Sequence, residues 1–240
     1  MGRNSTLSDK DDIQPARDSR FYDLLMESPL ILFSGFALAG FFITIPQQWR
    51  AGRGNDFLIL SELASAVFLG LQLVLLCIRR LPINKAEGFG PRAWAFVGAN
   101  FGYALLLLPR IPIPEGLAEL SSLILVTGTF GSVIALIWLG KAFAIFPQAR
   151  ALVTTGPYAY VRHPLYLFEQ LAMLGVSLQY RQPWAVLLVI ASFGLQFPRM
   201  YYEEKVLRET FAGYDSYARK TPRLIPRLAR KRRPAFPAGT

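Results

Sequence analysis

In 240 residues there is one histidine, His163, and one cysteine, Cys77. A lone cysteine excludes an internal disulfide and every zinc site built on paired cysteines, and a lone histidine excludes every His-pair metal motif. The side chains able to do chemistry collect in two stretches. The first is Leu152-Val-Thr-Thr-Gly-Pro-Tyr-Ala-Tyr-Val-Arg-His-Pro-Leu-Tyr166. Gly156-Pro157 makes a turn, and Pro164 fits the first turn of a helix. Arg162 and His163 then stand at a helix entrance, where free backbone N–H groups and the helix dipole favour an anion such as a carboxylate or phosphate. An equally simple reading has Arg162 anchored to lipid headgroups and His163 capping the helix. Glu169 follows six residues after His163, roughly two turns on. A carboxylate deep in an apolar helix costs about 2.5–3.5 kcal/mol on insertion scales, so it faces the bundle interior, stays protonated, or sits shallow enough to reach interfacial water.

The second stretch is Arg199-Met-Tyr-Tyr-Glu203-Glu204-Lys-Val-Leu207. Arg199, Glu203 and Leu207 are four apart and share one helix face, while Glu204 falls on another with Arg208. Alone this also fits a solvated surface pair worth a few tenths of a kcal/mol. A third set, Phe211-Ala-Gly-Tyr214-Asp-Ser-Tyr217 followed by Pro222-Arg223, is consistent with interfacial aromatics.

The elements that must position these residues are membrane helices. Of the chain, 52% is hydrophobic and only 18% charged, with 26 Lys and Arg against 16 Asp and Glu. Soluble domains run at about 25% charged. About 20 apolar residues are needed to cross a bilayer. Six stretches qualify or come close: Pro29–Pro46, Phe57–Ile78, Trp94–Pro109, Leu120–Gly140, Leu165–Tyr180 and Pro183 to about Phe197. The third and fifth are short, which tilt or burial in a bundle tolerates. The first apolar run begins behind a mixed-charge segment, unlike a cleavable signal peptide.

With six spans, both termini share a side. Only Arg50, Arg53, Arg110 and Arg181 fall on the opposite side, and the other 22 of the 26 basic residues lie with the termini. The positive-inside rule makes that side cytoplasmic. Because the charge sits in short loops beside the membrane and in the tail after Arg227, it reads as an anchor to anionic headgroups and not as a nucleic-acid surface. The expected architecture is an all-α, polytopic membrane bundle of about six transmembrane helices with a C-terminal cytoplasmic helix. Residues 1–28 form a polar N-terminal segment, disordered to about Ser19 and then a short interfacial helix from Phe21. Residues 29–140 carry helices one to four, 141–226 hold the last two spans and the C-terminal helix, and 227–240 are a basic tail. Pro82, Gly88, Gly90 and Pro91 make the 80–92 loop irregular. No proline interrupts Tyr201 to about Lys220, so helix continues there.

Taken in order, the pattern T-G-P-Y-x-Y-x-R-H-P-x-Y, then E-E-x-x-L about forty residues later, then Y-x-x-Y-x-x-x-x-P-R-x-I-P, resembles the isoprenylcysteine carboxyl methyltransferase family and the broader phospholipid methyltransferases. The resemblance covers about Gly140 to Pro226. Many members carry F-G-x-x-Y where this chain has Tyr214 three residues after Phe211. The resemblance implies a membrane enzyme using S-adenosyl-L-methionine, bound at the cytoplasmic ends of the last spans under the C-terminal segment. It places Arg162, His163 and Tyr166 at the cofactor's amino-acid end and gives catalytic roles to Arg199 and Glu203. Glu204 joins the cofactor site, and Tyr158, Tyr214 and Tyr217 wall the adenosine or close the site. Glu169 is the candidate substrate residue.

Methyl transfer from a sulfonium is an in-line displacement that needs alignment and exclusion of water, with no metal and no covalent nucleophile. The expected acceptor is a lipid or a prenylated small molecule, reached laterally from the bilayer. A carboxylate acceptor is already ionised; an amine or thiol needs a base, for which Glu203, Glu204 and Glu169 are the candidates. The residues leave the acceptor open; the resemblance implies carboxylate O-methylation, with phosphatidylethanolamine N-methylation or thiol S-methylation as alternatives. A sterol-type reductase would carry H-P-N-Y where this chain has Leu165, and a Cys after its acidic run. A transporter or scaffold would carry polar residues through several spans; spans one to four have few beyond Ser and Thr, Glu62 and Gln72. In a bacterial cell the protein would sit in the inner membrane.

Overall fold

The computed structural model describes residues 8–50, 56–109, 113–180 and 182–226. The basic tail from Arg227 lies outside them, as do residues 1–7. Seven α-helices account for most of the described chain: α1 Ser8–Arg50, α2 Asp56–Ile78, α3 Phe89–Asn100, α4 Glu115–Leu139, α5 Pro164–Leu178, α6 Pro183–Thr210 and α7 Tyr214–Lys220. The fold is all-α. Among the described residues three helices are long and apolar enough to cross a membrane: Ile59–Ile78, Glu115–Ala142 and Pro183–Thr210. Ile31–Gln47 and Pro164–Leu178 are shorter apolar helices. Large apolar side chains such as Leu32, Phe36, Phe42, Phe130, Ile137 and Ile190 point outward. An apolar exterior of this kind is stable against lipid tails and not against water.

Where helices begin and end follows local chemistry. Pro164 and Pro183 open α5 and α6 at positions whose missing N–H no helix needs. Pro114 precedes α4, and Glu115 in its first turn complements the dipole. Gly140, with φ +51°, closes α4. Four features differ from the sequence reading, the first being that helix does not continue from Tyr201 to Lys220, because α6 ends at Thr210 and α7 starts only at Tyr214, after a break that holds Gly213. Helix α1 is already formed at Ser8, where disorder to about Ser19 was expected, and it runs unbroken into the apolar stretch. The third apolar stretch is not one α-helix: α3 ends at Asn100 and tightens into a 3₁₀ turn, Phe101–Leu107, across Gly102. The 80–92 loop is not wholly irregular, because β1 Asn84–Lys85 pairs antiparallel with β2 Gln148–Ala149. Two-residue strands leave no periodicity to read.

Helices α4 and α5 make the most intimate contact in the molecule. A Cβ on Gly128 would stand 2.3 Å from the Ala172 backbone nitrogen, and one on Gly175 2.5 Å from that of Leu125. Only hydrogen fits at either point, and the closeness lets Ser121 donate to the Gly175 carbonyl at 2.8 Å. Elsewhere Arg79, just past α2, meets Glu27 of α1 at 2.6 Å in a fully buried ion pair. Such a pair costs desolvation but is strongly destabilising to break, so it fixes α1 against α2.

Candidate active site

The segment between α4 and α5 is shaped by Gly156. Its φ of +60° suits glycine, and a Cβ would collide with the Trp138 indole at 2.3 Å. From there a 3₁₀ turn, Gly156–Ala159, carries buried Tyr158 inward and delivers Arg162 and His163 to the start of α5. Sequence reasoning left their backbone N–H groups open to an anion. Instead the Arg162 N–H donates to the Pro222 carbonyl at 2.8 Å and the His163 N–H to that of Arg223 at 3.0 Å. Residues 221–226 thus form a strap laid across the entrance, with Leu224 buried against Tyr166 and Met200. Tyr217 of α7 ties the same region down by donating its hydroxyl to the Tyr158 carbonyl at 2.7 Å.

Beneath the strap, adjacent glutamates of α6 have different surroundings. Glu204 is 2% exposed. Arg162 Nη1 and His163 Nε2 each meet it at 3.0 Å, and Arg223 donates to both its oxygens from Nε and Nη2, also at 3.0 Å. Two guanidinium groups on one carboxylate leave a net positive charge at this corner. Glu203 turns about 100° away on the helix. Its side chain is 33% exposed and accepts a 2.6 Å hydrogen bond from the Tyr166 hydroxyl. The Tyr166 ring stacks on the His163 ring with centroids 5.3 Å apart and an angle of 3° between planes, and the Arg199 guanidinium lies 4.4 Å from the Tyr166 centroid. Arg199 is 4% exposed, and its Nε has no hydrogen-bond partner.

Two spaces abut this cluster. A cleft of about 580 Å³, counting its open mouth, is lined by Tyr158, Arg162, His163, Glu203, Tyr214 and Tyr217 among others. A larger, partly open cavity of about 1580 Å³, counting the open space at its mouth, is mostly apolar; Glu169, Gln170, Gln196 and Arg199 line it. The face of α6 bearing Arg199, Glu203 and Leu207 runs from the cavity into the cleft. Burial pushes the Tyr158 phenol well above its usual range and that of Tyr217 up to about 12. Both stay neutral near pH 7 and serve as walls and donors, not bases.

The structure therefore brings Arg162, His163, Tyr166, Glu203 and Glu204 into one cluster, with Arg199 across the Tyr166 ring. Tyr158, Tyr214 and Tyr217 share the cleft with Glu203. Glu204 is not among the cleft's lining residues, and Glu169 lines the cavity. Arg223 was read only as part of a motif; its partner Glu204 lies 19 residues back across a helix break, a pairing that spacing does not reveal.

Comparison with known proteins adds a family. Residues 118–213 match the model of the phospholipid methyltransferase family, part of the isoprenylcysteine and phospholipid methyltransferase group. That stretch is similar to the phospholipid methyltransferases. It contains Arg162, His163, Tyr166, Glu169, Arg199, Glu203 and Glu204 and stops just before Tyr214. The chain is 34% identical over 83 residues to the nickel-cobalt-cadmium resistance protein NccN of Alcaligenes xylosoxydans xylosoxydans, covering 34% of this chain and 39% of that protein. It is 36% identical over 115 residues to the cobalt-zinc-cadmium resistance protein CzcN of Cupriavidus metallidurans, covering 45% and 52%. The chain thus spans about half or less of the length of these relatives. Among the described residues no three His, Cys, Asp or Glu are grouped to hold a metal ion. The chain is thus similar to the phospholipid methyltransferases over residues 118–213, and among its described residues three helices are long and apolar enough to cross a membrane.

Proposed function

We propose that the chain is an integral-membrane methyltransferase that takes a methyl from S-adenosylmethionine and passes it to the carboxylate of a lipophilic, isoprenylcysteine-like acceptor. The observation that carries this reading is the meeting of a polar, aromatic cleft with a large apolar cavity on one packed cluster, His163–Tyr166–Glu203–Arg199. The distribution of the basic residues supports a cleft on the cytoplasmic side.

The cleft's residues fit the cofactor's chemistry. Arg162 and Arg223, sharing one carboxylate, retain positive charge for an amino-acid carboxylate. Tyr158, Tyr214 and Tyr217 offer faces and edges to an adenosine. Bound there, the cofactor would supply a methyl on a sulfonium. Glu203 would lie against that positive charge, oriented by its bond from Tyr166. Arg199, which lines the cavity and whose Nε is unused, would hold an acceptor carboxylate through charge-assisted hydrogen bonds. The apolar cavity would exclude water and admit the acceptor's tail from the bilayer. A carboxylate needs no base, so no proton has to be moved. Amine or thiol acceptors form a second reading, favoured by Glu169 on the same cavity wall, where it could take a proton.

The test is calorimetric titration of purified protein with S-adenosylhomocysteine, followed by a radiolabelled-methyl screen over prenylated carboxylates, prenylated thiols and phosphatidylethanolamine. Micromolar binding and label in the carboxylates are expected. Absence of binding would overturn the cofactor reading, and label confined to the amine would replace the acceptor.

A further inference from the structure

The reaction as proposed leaves the lower part of the cavity unexplained. If its occupant were a plain hydrocarbon tail, its walls should be apolar throughout. They are not. Gln72 of α2, Gln170 of α5, and Ser192 and Gln196 of α6 all line it. Gln170 is 9% exposed; its Nε2 donates to Ser192 Oγ at 3.2 Å, and its Oε1 is buried with no partner. Turning the amide round exchanges the two atoms and still leaves one of them unmatched. Gln72 of α2 lines the same space. Leaving a buried amide atom unsatisfied is costly, and more so where no bulk water reaches.

We infer that the acceptor is an amphiphile carrying a hydroxyl or amide part-way along its buried body, and that Gln170, with Gln72 lining the same cavity, selects for it. The inference rests on the cavity being the acceptor site. Its geometry sets the position. Gln170 lies one helical turn, about 6 Å, below Tyr166, and Ser192 about 10 Å below Arg199 at 1.5 Å per residue. The selected group therefore sits some 6–10 Å from the atom that is methylated. An occupant that is apolar throughout leaves the amide unmatched and binds more weakly.

Binding without turnover tests this, so failure of the methyl-transfer reading and failure of this one appear in different measurements. Full-length protein in nanodiscs is loaded with radiolabelled hexadecanoic acid, which is displaced by unlabelled hexadecanoic, 7-hydroxyhexadecanoic or 16-hydroxyhexadecanoic acid, with protein-free nanodiscs subtracted. The wild type should prefer the 7-hydroxy acid over the plain acid by about three- to tenfold, the contribution of one net hydrogen bond. The 16-hydroxy acid should show no such gain. Gln170→Leu, and separately Gln72→Leu, should reduce the preference while still binding the plain acid and melting as the wild type does. Equal affinities in the wild type would overturn the inference by themselves, and so would a preference unchanged in Gln170→Leu, since water would then be satisfying the amides.

Discussion

Replacing Glu204 by glutamine removes a charge while keeping the side chain's shape, and its effect can be worked out bond by bond. Four N–H donors converge on the two Glu204 oxygens at 3.0 Å: one from Arg162, one from His163 and two from Arg223. A glutamine has one oxygen to receive them and presents an NH₂ group to the rest, so at least two contacts turn repulsive or are lost. Hydrogen bonds to a charged group contribute about 1.5–3 kcal/mol each. The Arg223 side chain is 44% exposed, so water partly replaces its share. Only Arg223 belongs to the strap and one of its two bonds is lost, so the strap should dock about 1.5 kcal/mol less tightly, a factor of about ten in its opening equilibrium. Its docking is reported by two amides outside the strap, those of Arg162 and His163, which donate to the Pro222 and Arg223 carbonyls. Hydrogen exchange read by mass spectrometry on peptides spanning 160–165 should quicken about tenfold in Glu204→Gln, while peptides in α4 keep their rates. Unchanged exchange at 160–165 would refute the assignment of Glu204 as the strap's anchor.

Other perturbations separate neighbouring roles. Tyr166→Phe keeps the ring under Arg199 and over His163 but deletes the 2.6 Å bond to Glu203; methyl transfer should fall about tenfold or more with S-adenosylhomocysteine affinity nearly unchanged, as calorimetry beside a radiolabel assay would show. Gly128→Ala drives a methyl into the α5 backbone and should destabilise by about 1–3 kcal/mol or more, read as a lower melting temperature in detergent. Gly213→Ala meets nothing within 4 Å at an ordinary φ of −78° and should be neutral or stabilising by up to about 1 kcal/mol in the same assay. Arg79→Met leaves Glu27 charged and buried, and should cost about 3–5 kcal/mol; the double variant with Glu27→Leu should recover much of it.

Much of the site was legible because its chemistry is written in local order. Pro164 marks the start of α5 and Gly156 the turn before it, so Arg162 and His163 were placed at a helix entrance from residue types alone. The four-residue spacing of Arg199, Glu203 and Leu207 located one face of α6, which connects the two spaces. What could not be read depends on distant partners. Glu203 and Glu204 look equivalent in sequence; only the strap, returning after the break at Phe211–Gly213, shows that one is enclosed by cations and the other lines the cleft. Tyr201 to Lys220 had no proline to stop a helix, yet α6 ends at Thr210 and α7 starts at Tyr214. The Asn84–Lys85 strand exists only through its partner at Gln148–Ala149. The polar wall of the cavity is likewise scattered over three helices, and each glutamine alone looks like an isolated polar residue in an apolar run.

The central claim is that donor and acceptor meet across the His163–Tyr166–Glu203–Arg199 cluster. A structure of the full-length protein in nanodiscs with S-adenosylhomocysteine tests it directly. The account predicts the ligand in the cleft walled by Tyr158, Tyr214 and Tyr217, with its carboxylate toward Arg162 and its sulfur beside Glu203, facing the cavity lined by Arg199. A ligand bound elsewhere, or one whose sulfur points away from that cavity, would contradict it.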